Sequence, residues 1–72
     1  MDPITIDRII RWEGGESTEA ETLELFKTLV QTGHAWGLQG MYGRQAIHFI
    51  QEGLIEMPAD DMLPPRVRDI LS

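Results

Sequence analysis

Thr18-x-x-Glu21 at one end and Gly33 at the other bracket a stretch of regular helical spacing, and this bracket constrains the fold more than any other feature. A Thr followed three residues later by Glu is a capping box, in which each residue satisfies a backbone N–H that the helix start leaves open. A glycine just past the last periodic residue supplies the left-handed stop. Between them Leu23, Leu25, Phe26, Leu29 and Val30 fill an arc of about 160° on a helical wheel. Glu21, Glu24, Lys27, Thr28 and Gln31 fill the opposite side. The spacing predicts an amphipathic helix over 18–32 that must bury one face against other elements.

The rest of the chain supplies those elements as further helices, because no stretch shows sustained strand-like alternation. Thr5 is positioned to cap a first helix over 6–13, with Ile6, Ile9 and Ile10 on one face, Asp7 and Arg11 one turn apart, and Gly14-Gly15 as the stop. A third helix over 41–52 places Tyr42, Gly43, Ala46, Ile47, Phe49 and Ile50 on one wide apolar arc, with Arg44, Gln45, His48, Gln51 and Glu52 opposite. Gly53 ends it, and Leu54 stands where a Schellman turn folds back onto Phe49. Residues 56–61 read as a linker, and Pro64-Pro65 opens a last short helix over 65–71 with Val67, Ile70 and Leu71 as its apolar stripe. The expected fold is all-α, a compact bundle of three short helices plus a short fourth. Residues 1–55 form the helical domain, and 56–72 form a linker and helix that pack on it or on a partner.

With 72 residues and no cysteine, this bundle has neither disulfides nor thiolate metal ligands to support it. The start, MDPITIDRII, carries an acid where a secretory leader carries basic residues, and no apolar run approaches a membrane span. The expectation is therefore a soluble cytoplasmic protein. The net charge of −6 is unevenly distributed. Glutamates crowd the segment from Glu13 to Glu24, where Glu16, Glu19, Glu21 and Glu24 make an acidic helix start that complements the helix dipole. From Leu25 to Gln51 there is no acid at all. An acidic balance opposes general nucleic-acid binding, which needs clustered Lys and Arg, and suits a basic partner surface.

Catalysis needs a base, a nucleophile or a metal held in register. His34 follows the helix-stopping Gly33, His48 lies on the third helix's polar face, and neither has a histidine one turn away. Asp60 and Asp61 lack the alternating oxygen ligands of a calcium loop. Ser17 and Ser72 sit at a helix start and at the last residue. No catalytic residue, metal site or cofactor is expected.

The segment WGLQGMYGRQ, residues 36–45, spaces Gly37, Gly40 and Gly43 three apart. A phosphate cradle is one reading, but the Walker lysine, the preceding strand and the G-x-G-x-x-G pattern are missing. The G-x-x-G of Gly40 to Gly43 occurs in KH domains, whose sheet is also missing. LQGMYGRQAIHFI is similar to a helix–hairpin–helix with one extra residue between its glycines. That gives the alternative of nucleic-acid binding through residues 38–50, with Arg44 as the sole basic residue. The reading favoured is architectural. Gly43 and Ala46 let the third helix approach a neighbour closely, while Gly37 and Gly40 turn the chain after Trp36. The corner then presents Trp36, Gln39, Met41, Tyr42 and Arg44 as a partner-binding surface, since aromatic, Met and Arg anchors dominate interfaces.

LVQTGHAWGLQGMYGRQAIHFIQEGLI, residues 29–55, together with the acidic helix before it, resembles a family of very small acidic proteins encoded by tailed bacteriophages and related mobile elements. Their shared pattern reads E-x-x-x-L-F-x-x-L-(V/I)-x-(T/S)-G-x-A-W-x-L-Q-G-x-Y-G-R-x-A-x-x-L-I-x-x-G-L-I. Gly37 stands where the family often has a larger polar residue, and Phe49 where it has leucine. Residues from Glu56 onward fall outside the resemblance. It implies a phage or prophage origin and action inside a bacterial cell, and it carries no catalytic residues. The expectation is an accessory protein that binds and inhibits a host protein, such as a defence or transcription factor. A self-associating structural or virion component is the other alternative, with a second copy of the chain as its partner.

Overall fold

A computed structural model of the chain describes residues 1–38 and 40–71. Four α-helices follow one another: α1 (Pro3–Glu13), α2 (Glu19–Thr32), α3 (Gly40–Gln51) and α4 (Pro65–Leu71), with 3-10 turns at His34–Trp36 and Asp60–Met62. No described residue lies in a strand, so the fold is all-α as the periodicity predicts.

The bracket around α2 forms as read. The Thr18 N–H donates to Glu21 Oε1 and the Glu21 N–H to Thr18 Oγ1, each at 3.1 Å. Gly33 closes the helix at φ +82°, in the left-handed region that a Cβ disfavours. Between these ends Leu25, Phe26, Leu29 and Val30 are all buried, and α2 packs against α1, α3 and the 3-10 turn at His34–Trp36.

The first helix departs from expectation at both its start and its face. It begins at Pro3 rather than residue 6, because Asp2-Pro3 places an N-cap residue and a pre-set proline φ at the helix entry. Thr5 is therefore inside the helix, where it is buried and donates its hydroxyl to Asp2 Oδ1. That bond holds the Asp2 carboxyl below its usual value. The buried side of α1 runs through Thr5, Ile9 and Trp12, while Ile6 and Ile10 stay exposed. Trp12 decides the orientation: its ring packs edge-on against Phe26 at 5.0 Å and against Tyr42 at 5.1 Å, contacts an isoleucine face cannot reproduce. Arg11 reaches Glu21 Oε2 at 3.1 Å, an ion pair with α2 in place of the expected one with Asp7.

The C-terminal end of α3 makes the Schellman pattern, with Leu54 N–H to the Phe49 carbonyl at 2.9 Å and Gly53 N–H to the Ile50 carbonyl at 3.0 Å. The side chain that turns inward is Ile55, however, and Leu54 remains exposed. Beyond it, Leu63 and Val67 join the same buried cluster as Phe26, Leu29 and Tyr42, and α4 packs on α3. The Cα radius of gyration, 11.7 Å, lies near the roughly 11 Å of a compact chain of this length, so α4 is folded in rather than extended.

A candidate partner-binding groove

The sequence-predicted corner divides between two sides of α3. Tyr42, expected at the surface, is buried at 2% exposure, with its ring beside Trp12 and Phe26 and its hydroxyl donating to Glu13 Oε2 at 2.5 Å. The reason is its place on the apolar arc of α3: an aromatic ring there goes to the core and only its polar tip needs a partner. Burial, then the bond to Glu13 and that residue's charge, push the Tyr42 phenol well above its usual value. Trp36, also expected at the surface, is 9% exposed and belongs to the core. Its Nε1 is buried without a hydrogen-bond partner among the described residues. Met41 and Arg44 are exposed. Gln39 lies outside the described residues.

Trp36 and Arg44 come together on the other side of α3, in a groove of about 240 Å³ between α3, α4 and the 3-10 turn at His34–Trp36. From α3 come Gly40, Gly43, Arg44 and Ile47, at i, i+3, i+4 and i+7, which places them on one helical stripe. Facing them are Arg66, Val67 and Ile70 of α4, and Trp36 and Leu38 line it as well. Glycine at two of the four α3 positions leaves backbone where side chains would otherwise fill the space. This is what the glycine spacing accomplishes, since Gly37 sits at φ −98° and Gly40 lies within α3, so neither turns the chain by a left-handed conformation. A Cβ on Gly43 would stand 3.9 Å from the Ala35 carbonyl oxygen and from Trp36 Cε3, ordinary contact distances. Arg44 lies back over Gly40, with Nη1 3.8 Å from the place a Cβ there would take.

The two arginines and the apolar walls were only half legible in sequence. Arg44 was visible beside the glycines, and Val67 and Ile70 as an apolar stripe. Nothing local says that the stripe faces Arg44, or that Arg66 joins it.

The acidic start of α2 is less open than its composition suggests. Arg8 and Arg11 of α1 line a cleft with Glu21 and Glu24, and Glu21 is held by Arg11 and by Thr18. The Thr18 N–H foremost, and Arg11 after it, keep the Glu21 carboxyl below its usual value. Glu16 and Glu19 are exposed. His34 Nδ1 lies 2.9 Å from the Thr32 hydroxyl, and His48 is exposed against the edge of Phe49. Among the described residues no group of three His, Asp or Glu is placed to hold a metal ion. No helix among them is long and apolar enough to cross a membrane.

Residues 1–65 match a family described as Domain of unknown function (DUF7417). The chain belongs to the DUF7417 family. No curated protein and no solved structure matches it. The DUF7417 match runs beyond Ile55, where the pattern quoted above ends, and stops at the first residue of α4. The α3 wall of the groove, with Trp36 and Leu38, therefore lies within the DUF7417 match, while Arg66, Val67 and Ile70 lie past its end.

Proposed function

We propose that this DUF7417 protein is a phage-encoded accessory protein that binds and inhibits a host protein in the bacterial cytoplasm. The target class is a defence or transcription factor, and the protein uses no cofactor and no chemistry of its own. The observation that carries this reading is the groove between α3 and α4. It gathers apolar walls and two arginines on one face of a chain with twelve Asp and Glu against six Lys and Arg. Met41 is exposed in the first turn of α3, outside the lining of the groove. The resemblance of residues 29–55 to small phage proteins supports the origin and the cellular setting.

Affinity capture from bacterial cells expressing the tagged protein tests this. A stoichiometric host protein retained by wild type and lost on Arg44→Glu together with Ile70→Asp is the expected result. Capture that survives both changes would move the surface elsewhere, and no stoichiometric host protein in any host tested would contradict the reading.

Self-association stays as a second reading on one observation. Ile6 and Ile10, one turn apart on α1, are 46% and 61% exposed, a pair of large apolar side chains that nothing among the described residues covers. Sedimentation over a wide concentration range that returned only monomer would remove it.

A further inference from the structure

Arg44 and Arg66 are two of six Lys and Arg in a chain with twelve Asp and Glu, yet no carboxylate among the described residues lines the groove they share. Of the other four, Arg11 is bound to Glu21, and Arg8 shares a cleft with Glu21 and Glu24. Among the described residues neither Arg44 nor Arg66 has an ion-pair or hydrogen-bonding partner. Both are exposed, and each stands beside an apolar wall, Arg44 one turn before Ile47 and Arg66 next to Val67 and one turn before Ile70.

The groove's size narrows its occupant. About 240 Å³ falls below the roughly 300–1,000 Å³ of pockets that enclose cofactor-sized ligands. It suits side chains inserted from a larger body. Two roughly helical walls with a glycine floor form the kind of trough that accepts an amphipathic helix by its anchors at i and i+3 or i+4.

Resting on the partner-binding reading, we propose that the groove takes an acidic amphipathic segment of the partner protein. Its leucine-type side chains enter between Ile47, Val67 and Ile70, and its flanking carboxylates meet Arg44 and Arg66. Charge complementarity selects the acid, and the apolar walls select a segment over a free anion. A single-stranded nucleic acid fits poorly on two counts. Its backbone needs a row of clustered cations where the groove offers two, and no Phe, Tyr or Trp among the described residues is exposed for a base to stack on.

The test is a titration of the ¹⁵N-labelled full chain with three probes. These are a short helical peptide with leucines one turn apart and flanking glutamates, the same peptide with lysines for glutamates, and an oligothymidylate. The account expects amide shifts confined to residues 36–47 and 66–70 with the glutamate peptide, and roughly tenfold weaker binding of the lysine peptide. Arg44→Glu with Arg66→Glu should abolish the shifts while leaving the far-UV spectrum and melting curve of the free protein unchanged. Equal binding of both peptides, shifts outside the groove, no shift at all, or tighter binding of the oligothymidylate would overturn the proposal. So would groove shifts that appear on concentrating the protein alone, which identify a second copy as the occupant. If a host protein is captured in cells but the double arginine variant captures it equally well, this inference fails and the partner-binding reading stands.

Discussion

The Tyr42 hydroxyl donates to Glu13 Oε2 at 2.5 Å, tying the first turn of α3 to the last residue of α1. The ring between them packs on Trp12 and Phe26, so one side chain joins three helices. Replacing it with phenylalanine keeps the ring and removes the bond, and should cost about 1–2 kcal/mol in urea unfolding at neutral pH.

The same bond gives an alkaline pH dependence. Burial and Glu13 raise the folded-state pKa of Tyr42 above the ordinary 10.0. The contribution is therefore full below pH 10 and is lost as pH rises above it, because the unfolded chain releases the phenol proton first. Tyr42 is the chain's one tyrosine, so its ultraviolet ionisation can be followed without overlap. Between pH 9 and pH 11 the wild type should lose more stability than Tyr42→Phe; equal losses would show that the phenol does not titrate late.

The α2 cap predicts the opposite slope in acid. Thr18→Ala should destabilise by about 1 kcal/mol, the usual cost of an N-cap threonine. Glu21 is depressed below its ordinary 4.5, so its contribution is present above that pH and is lost as pH falls through the lower folded value. The stability difference between wild type and Glu21→Gln should accordingly shrink from pH 6 to pH 3. A difference that stays constant would mean the carboxylate form is not what the cap requires.

Two glycines of the same segment should respond to alanine with opposite sign. A Cβ on Gly33 would meet only the Met62 methyl, at an ordinary 4.0 Å, but the residue sits at φ +82°, so Gly33→Ala should cost about 1 kcal/mol through backbone conformation. Gly43 lies inside α3 with ordinary contact distances, so Gly43→Ala should be neutral or stabilise by about 0.5–1 kcal/mol. Thermal melts of the two variants decide it, and a large loss at Gly43 would show that the helix needs closer approach than 3.9 Å there.

What was legible in the sequence was what depends on neighbours along the chain. The α2 cap, its glycine stop and the apolar arc of α3 all rest on residues within a turn or two of one another, and they form as expected. The face of α1 does not, because Ile6, Ile9 and Ile10 share one side of the helix and only the distant rings of Phe26 and Tyr42 rotate it to bury Trp12 with Ile9 instead. Tyr42 was placed both on the apolar arc of α3 and at the surface of the corner, and the acceptor that favours burial lies far away in sequence, on α1. Arg44 could be singled out as an anchor, but its companions Arg66, Val67 and Ile70 arrive only when α4 folds back onto α3.

Site-specific photo-crosslinking in bacterial cells reads out whether the groove is a binding surface. A crosslinker at Ile70, inside the groove, is compared with one at Leu54, exposed beyond the far end of α3 from Gly40. One discrete protein adduct is expected from position 70, none from position 54, with loss of the adduct on Arg44→Glu. No adduct from position 70, or the same adduct from both positions, would contradict it.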